Sequence, residues 1–280
     1  MKTLVVGCGY IGLPLALLWR DGGDEVIAWV HSSASAGMVQ EHNFPQVIAG
    51  SVAAERLWTT VGPCDRIILS ASSNRGGPEA YREVFLEGAR MIRAHQPGAR
   101  KLFVSSTSVY GQAAGEIVTE ESPTEPANET GQILREAEDI ALADGAIVVR
   151  SAGIYGPGRS VLWERFRSGK AVIEGEGSRW LNQIYRDDLV AALALVMERG
   201  TPGQIYNVAD DEPVMLGDFY AWCAEYLGRG LPPSGPENPH RKRGLTNKRV
   251  SNSKLRALGW RPIYSSYREG IPAIEDFRWR

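Results

Sequence analysis

The chain has 280 residues, 43% of them apolar and 23% charged, an ordinary composition for one or two globular domains that need no metal or disulfide staples. Its 31 basic residues against 33 acidic residues give a net charge of -2, which excludes a generally basic nucleic-acid binder. The three cysteines are too scattered for a disulfide framework or a zinc site, and no apolar run suits a signal peptide or a membrane helix. We therefore expect a cytoplasmic globular protein.

Strand-like and helix-like segments alternate through the first half of the chain. Short apolar, β-branched runs predict strands at residues 3–6, 25–30, 66–70, 101–104 and 147–149. Apolar residues at helical spacing predict helices at residues 13–19, 79–95 and about 130–144. Strands that alternate with helices imply βαβ units, and hence a Rossmann-type, doubly wound parallel sheet in an α/β protein.

The alternation of strand-like and helix-like segments stops after Arg150, where glycine, proline and aromatic residues become frequent. One further helix is predicted at residues 187–198, and four prolines predict a loop at residues 231–239. We therefore expect a dinucleotide-binding domain over residues 1–155, completed by about 180–210. A smaller α+β substrate-binding part is expected over residues 156–179 and 211–280.

A glycine-rich loop follows the first predicted strand and opens the first predicted helix. Its residues, Gly7-Cys8-Gly9-Tyr10-Ile11-Gly12, match the pattern G-x-G-x-x-G. In that context the first glycine makes a tight turn, the second lets the backbone approach a pyrophosphate, and the third allows close helix–strand packing. We interpret Cys8 as a small packing residue.

The segment after the second predicted strand bears on the choice of cofactor. NAD-preferring sites usually carry Asp or Glu about 20 residues beyond the glycine loop, bonded to the ribose 2′-hydroxyl. Here the chain has His31, Ser32 and Ser33, with neither an acid nor an Arg or Lys. The absence of a repelling carboxylate favours NADP over NAD as the cofactor.

Five segments resemble the extended short-chain dehydrogenases/reductases, the epimerase/dehydratase family. They are F-V-S-S-T-S-V-Y-G at 103–111, R-S-A-G-I-Y-G-P-G-R at 150–159, I-Y-R-D-D-L at 184–189, Y-N-V at 206–208 and L-G-W-R-P at 258–262. Within the family, the chain is similar to an atypical bacterial branch, the YeeZ-like proteins, which keeps S-S-T-S-V-Y-G and lacks the family's Tyr-x-x-x-Lys pair.

The resemblance implies roles for individual residues. Ser106 is expected to hydrogen-bond the substrate oxygen. Cofactor contacts are expected from the glycine loop (including Tyr10 and Ile11), His31, Ser32, Ser33, Ala71, Ser72 and Ser105. Substrate contacts are expected from Thr107, Ser108, Tyr110, Tyr155, Arg159 and Arg179. The run Arg241-Lys242-Arg243 is interpreted either as a further anion contact or as a solvated surface. No metal site is expected.

The chain departs from the family where a Tyr-x-x-x-Lys pair is expected. Thr130 stands in the place of the tyrosine and Leu134 in that of the lysine. A threonine hydroxyl is a much weaker acid than a phenol, whose pKa of about 10 can be lowered by a nearby cation. Tyr81, Tyr110 and Tyr155 are the tyrosines considered as replacements, with packing as their alternative role.

Two functions stay open at this point. One is an NAD(P)-dependent oxidoreductase or epimerase-like enzyme whose small-molecule substrate is nucleotide-linked or otherwise anionic. The other is a non-catalytic NAD(P)-binding sensor or regulatory protein. A nucleic-acid binder is not expected because the basic stretch 241–249 has no interleaved aromatic residues. The resemblance also implies a homodimer, because relatives in the extended family commonly pair through two helices, which here are predicted at residues 79–95 and 130–144. Both helices carry apolar residues beyond one narrow stripe, as a helix buried on two sides would.

Overall fold

The computed structural model of the chain describes residues 1–74, 76–237 and 246–278, the side chains of 276–278 excepted. The first half alternates strands with helices. In chain order its elements are β1 (Lys2–Val6), α1 (Gly12–Asp21), β2 (Glu25–Val30), α2 (Ser33–Gln40), β3 (Gln46–Ala49), α3 (Glu55–Trp58), β4 (Arg66–Leu69), α4 (Pro78–Tyr81), a π-helical segment (Arg82–Glu87), α5 (Gly88–His95), β5 (Arg100–Ser106), a 3₁₀ turn (Thr107–Val109), β6 (Glu116–Val118), α6 (Glu129–Ala143) and β7 (Ile147–Ser151).

The second half has shorter strands. Its elements are β8 (Gly153–Tyr155), α7 (Val161–Arg167), β9 (Ile173–Glu174), β10 (Trp180–Leu181), β11 (Gln183–Tyr185), α8 (Arg186–Arg199), β12 (Ile205–Val208), β13 (Val214–Met215), α9 (Leu216–Leu227), β14 (Ser234–Gly235), β15 (Lys248–Val250), α10 (Ser253–Ala257) and α11 (Tyr267–Arg278). No helix in the described ranges is long and apolar enough to cross a membrane.

The central feature is a seven-stranded sheet in the order β12-β7-β5-β4-β1-β2-β3. β1 pairs in parallel with both β2 and β4, and further parallel pairs join β2 to β3 and β4 to β5. The chain thus winds outward from β1 in both directions, and the strand order reverses between β1 and β4. The predicted doubly wound α/β sheet is confirmed, and in such sheets ligands bind outside the carboxyl ends of the strands at this reversal.

The strands are buried on both faces, as their continuous apolar runs predict. All four residues of β4 and all five of β7 are buried, and so are four of the five in β1. The predicted strands and helices of the first half are all present, although their ends differ by a few residues. The predicted helix at 79–95 contains a π-helical segment over its middle, Arg82–Glu87.

The prediction of a loop over residues 231–239 is wrong at one place. Ser234–Gly235 form the short strand β14, which pairs in parallel with Ile173–Glu174 of β9. The prolines do not prevent this pairing because proline lacks only its N–H group and keeps its carbonyl. The carbonyl of Pro233 accepts a hydrogen bond from the Ile173 N–H at 3.0 Å.

The chain forms two compact units. Unit 1 consists of Met1–Val109, Thr124–Arg150 and Val190–Tyr206, and unit 2 of Tyr110–Pro123, Ser151–Leu189 and Asn207–Arg280. Unit 2 has an aromatic core that includes Trp163, Phe166, Phe219, Tyr220 and Tyr267. The assignment of cofactor binding to one part of the chain and substrate binding to another stays a prediction.

Candidate functional site

The glycine loop lies at the carboxyl end of β1. The N–H groups of Gly7 and Cys8 both donate to the carbonyl of Trp29 on β2, at 2.9 Å each, which holds the turn against the neighbouring strand. The Cys8 side chain is 4% exposed. Burial raises the pKa of the Cys8 thiol to about 12, so it stays protonated at neutral pH, consistent with a packing residue.

The three glycines of the motif have different surroundings. Gly7 has φ +98°, and a Cβ on it would lie 2.3 Å from the backbone nitrogen of Ala71. A Cβ on Gly12 would lie 2.1 Å from the carbonyl oxygen of Gly7. Around Gly9, by contrast, a Cβ would meet no described heavy atom within 4 Å. Gly7 and Gly12 are therefore required by the fold, whereas Gly9 leaves open space in front of the loop.

Gly9 stands three residues before α1, which begins at Gly12 without a capping side chain. Ile11 stands at the N-cap position, and the first turn contains no acidic residue. The first N–H groups of a helix have no intrahelical acceptor, and they carry partial positive charge. An uncapped helix start behind a side-chain-free backbone suits a phosphate group, so these residues fit the pyrophosphate of a dinucleotide.

The segment after β2 carries hydroxyl groups and an imidazole. His31 and Ser33 are exposed, and Ser32 is the N-cap of α2, where its Oγ accepts the Ser35 N–H at 3.2 Å. The first turn of α2 contains no acidic residue. The segment 31–33 and the first turn of α2 therefore carry no acidic side chain that would repel a 2′-phosphate.

The end of β4 contributes a residue that the sequence analysis missed. The Ser70 hydroxyl donates to the carbonyl of Gly7 at 3.2 Å, and it would lie 2.7 Å from a Cβ on Gly12. Ser70 thus fastens the glycine loop to the neighbouring strand, next to Ala71. Ser72 turns the chain away by accepting the N–H of Asn74, which has φ +49°. In the sequence, the position of Ser70 at the end of an apolar run was the signal that could have identified this residue.

Ser106 ends β5 at the same edge of the sheet. Its Oγ accepts the N–H of Ser108 at 3.2 Å, a contact that closes the 3₁₀ turn containing Thr107 and Ser108. In the part of the chain that the structure describes, nothing accepts the Ser106 hydroxyl proton. Ser106 can therefore donate that proton to a ligand oxygen.

Ser105, beside it, points into the interior of unit 1. Its hydroxyl donates to Glu138 Oε1 at 2.5 Å, and Arg150 binds the same carboxylate through Nη2 at 2.7 Å and Nε at 3.1 Å. The side chains of Glu138 and Arg150 are 0% and 2% exposed. This buried ion pair joins α6 to β7 and β5. Sequence analysis assigned no role to either charged residue, although Arg150 begins the segment 150–159, because the pairing joins residues of two different elements.

The beginning of α6 explains what Thr130 does in the fold. Asn128 caps the helix by accepting the Gly131 N–H at 2.7 Å, and the Thr130 hydroxyl donates to the same Asn128 oxygen at 3.2 Å. Leu134, one turn later, is 2% exposed and packs in the core. Thr130 is thus engaged in helix capping, and Leu134 supplies no charge.

Three tyrosines were considered as replacements for the missing phenol. Tyr110 is fully buried, and its hydroxyl donates to Asn207 Oδ1 at 2.8 Å within unit 2. The buried Tyr155 hydroxyl has no hydrogen-bond partner in the described chain, and burial followed by the nearby Asp210 raises the pKa of Tyr155. Tyr81 packs against Phe85 with 5.1 Å between ring centroids. The raised pKa makes Tyr155 a poor acid at neutral pH.

The predicted arginines differ in their surroundings within unit 2. Arg159 closes a tight turn in which its backbone exchanges hydrogen bonds with Gly156 at 2.9 and 3.0 Å. Arg179 is partly buried, and burial lowers the pKa of its guanidinium. The run Arg241-Lys242-Arg243 lies outside the described residues. No group of three or more potential metal-ligating side chains was found among the residues that are described.

The sheet and the glycine loop together define the class of this protein: it has the Rossmann-type α/β fold of NAD-binding proteins. Residues 3–209 match the NAD dependent epimerase/dehydratase family. The chain is 30% identical over 240 residues to Protein YeeZ of Escherichia coli K12, covering 81% of this chain and 84% of YeeZ. The chain therefore belongs to the NAD-dependent epimerase/dehydratase family, which confirms the resemblance found in its motifs.

Two further relatives carry assigned activities. Human dTDP-D-glucose 4,6-dehydratase is 26% identical over 218 residues, which cover 71% of this chain and 62% of that enzyme. A dTDP-glucose 4,6-dehydratase double mutant from Streptomyces venezuelae, solved with NAD bound, has a TM-score of 0.82 at 22% identity, with 100% of this chain and 96% of that one covered. This second likeness concerns the fold alone.

Proposed function

We propose that the protein is an NAD(P)-dependent oxidoreductase or epimerase-like enzyme whose small-molecule substrate is nucleotide-linked or otherwise anionic. The observation that carries the proposal is the open space at Gly9 in front of the uncapped start of α1. The glycine loop, Ser70 and the segment 31–33 would hold the dinucleotide, which supplies hydride transfer when bound. The name of the human dTDP-D-glucose 4,6-dehydratase, which is 26% identical over 218 residues, supports a nucleotide-linked substrate.

Ser106 is the residue that we assign to the substrate oxygen. It ends β5, which pairs with β4, and β4 in turn pairs with β1 beneath the glycine loop. Its hydroxyl proton is available, and a preorganised donor stabilises the negative charge that develops on a substrate oxygen during hydride transfer. Ser105 and the Glu138–Arg150 pair hold the strand end from which Ser106 projects.

We expect NADPH to raise the melting temperature more than NADH does at equal concentration. The reason is the absence of a carboxylate in the segment 31–33 and in the first turn of α2. Thermal melting with each nucleotide measures the difference. His31→Asp is the matched variant, because His31 is exposed; it should reduce the NADPH shift and leave the NADH shift unchanged or larger. An NADH shift equal to or above the NADPH shift in the unaltered chain would contradict the assignment.

We expect Ser106→Ala to reduce turnover far more than Thr130→Ala does. Loss of one donor to a developing oxyanion typically lowers kcat by about 10²–10³-fold. Thr130 binds the helix cap, so Thr130→Ala should change kcat by less than about tenfold, below the usual effect of a general acid or base. The measurement is nicotinamide absorbance during turnover of a panel of nucleotide-linked and other anionic substrates that extends beyond the ordinary UDP- and dTDP-sugars. The roles are wrong if Thr130→Ala abolishes turnover while Ser106→Ala has no effect.

The second candidate function, an NAD(P)-binding sensor or regulatory protein, is favoured by one feature of α6. Thr130 is engaged with Asn128 and Leu134 is buried, so neither residue supplies a proton carrier or a positive charge. For the same reason we expect little turnover of ordinary UDP- or dTDP-sugars. Dinucleotide binding without turnover of any tested substrate, and without an effect of Ser106→Ala, would favour this second function.

The homodimer stays a prediction.

A further inference from the structure

Lys248 is a buried cation of unit 2 that has no carboxylate partner. It begins β15, which pairs in parallel with β6, and only 5% of the residue is exposed. No Asp or Glu of the described chain forms an ion pair with its Nζ, and burial alone accounts for the change in its pKa. Buried ammonium groups in proteins are normally paired, because removing an isolated charge from water is costly.

Only two of the three ammonium protons are used. Nζ donates to the backbone carbonyl of Tyr110 at 3.2 Å and to the Thr246 hydroxyl at 2.5 Å. A lysine ammonium has three donors, and the described residues offer no acceptor for the third. These two hydrogen bonds hold Nζ in place, and they leave one donor without an acceptor among the described residues.

The charged neighbours of Lys248, in sequence and across the strand pair, supply no negative charge to its Nζ. Arg249 donates to the carbonyl of Gly115 at 2.9 Å, and its guanidinium lies 5.1 Å from the centre of the Trp180 ring. Arg179 precedes Trp180 in the chain. The backbone N–H of Trp180 donates to the side-chain Oδ1 of Asn247, which is the residue before Lys248. Glu116, opposite Lys248 in the strand register, is exposed and accepts the Ala114 N–H instead.

A purely structural role for Lys248 would explain its two hydrogen bonds. It would not explain why a buried positive charge has no negative partner among the described residues. Burial lowers the pKa of Lys248 to about 8. The side chain therefore remains mainly protonated at pH 7, and the interior of unit 2 holds a positive charge. A bound oxyanion would accept a hydrogen bond from the third ammonium N–H, and its negative charge would compensate the positive charge of Lys248.

We propose that the Lys248 ammonium is the centre of an anion-binding site in unit 2 that takes a carboxylate or phosphate group. The site deepens the proposed function, and rests on it, in so far as this group belongs to the substrate. The anion binding itself is testable without any dinucleotide.

The test measures thermal melting of the full chain with inorganic phosphate, and separately with acetate, at constant ionic strength. The Gly9→Val background is used because the glycine loop is the other place where phosphate could bind. We expect at least one anion to raise the melting temperature of Gly9→Val and of Gly9→Val/Arg249→Met, but not that of Gly9→Val/Lys248→Met. The anion with the larger shift distinguishes a phosphate site from a carboxylate site.

The affinity for that anion should fall by about tenfold or more between pH 7.5 and 9.5, as Lys248 loses its proton. A shift that survives Lys248→Met, or the absence of any shift in Gly9→Val, overturns the proposal. If Lys248→Met does not fold, NMR titration of the lysine side chains in Gly9→Val decides: the pKa of Lys248 must rise when the anion is added, and an unchanged value overturns the proposal. None of these outcomes depends on dinucleotide binding, so failure of the proposed function is seen separately.

Discussion

Gly9→Val is expected to abolish the melting shift produced by NADPH and by NADH, while the protein itself stays folded. In the unaltered chain, a nucleotide at about 100 times its Kd should add about 2.7 kcal/mol to the free energy of unfolding. The valine side chain would occupy the open space in front of the loop, where the pyrophosphate is expected to bind. Thermal melting with and without nucleotide measures the loss.

The surroundings of Gly9 allow this substitution to block the nucleotide without disturbing the fold. A Cβ there meets no described atom within 4 Å, whereas Cβ atoms on Gly7 and Gly12 would overlap the backbone and damage the fold. Gly98 is the matched control, because a Cβ on it also meets no described atom within 4 Å and it precedes β5 at the opposite edge of the sheet. Gly98→Val should keep the full shift. A nucleotide shift retained in Gly9→Val would place the cofactor elsewhere.

Breaking the buried Glu138–Arg150 pair is expected to destabilise the protein strongly. Arg150→Met leaves the fully buried Glu138 carboxylate with only the more distant Arg135 guanidinium, at 3.8 Å, and breaking a buried pair in this way typically costs about 3–5 kcal/mol. The double variant Glu138→Leu/Arg150→Met removes both charges and leaves the Ser105 hydroxyl without its acceptor, a loss of about 1–3 kcal/mol. The double variant should therefore be more stable than Arg150→Met alone. Urea denaturation measures the three free energies of unfolding.

An exposed ion pair of unit 1 provides the comparison. Arg90 binds Glu87 at 2.6 Å and Glu136 at 3.5 Å, but its side chain is 48% exposed. Solvent screening limits the contribution of such pairs to the free energy of unfolding to about 0–1 kcal/mol. Arg90→Met should therefore lower that free energy only slightly. If Arg150→Met costs no more than Arg90→Met, the buried pair does not hold β5, β7 and α6 together as described.

Much of unit 1 was predictable because its signals are local. A continuous apolar run identifies a strand that is buried on both faces, and β2 was predicted with the bounds that the structure shows. The glycine loop was also readable, since a tight turn and an uncapped helix start depend on residues adjacent in the chain. The loop predicted at 231–239 was wrong because the partner of β14, Ile173–Glu174, lies far away in sequence.

The candidate site was predictable only in part, because several of its contacts join distant residues. The sequence by itself determined the fold class and the loop with Gly9 at its centre, and it predicts that Thr130 and Leu134 stand where the family's Tyr-Lys pair is expected. Only the tertiary structure decided that Ser105 binds Glu138, 33 residues away, and that Lys248 binds the Tyr110 carbonyl, 138 residues away. The physical reason is that local backbone preferences act over a few residues, whereas the compensation of a buried charge depends on which side chains the packed elements bring together.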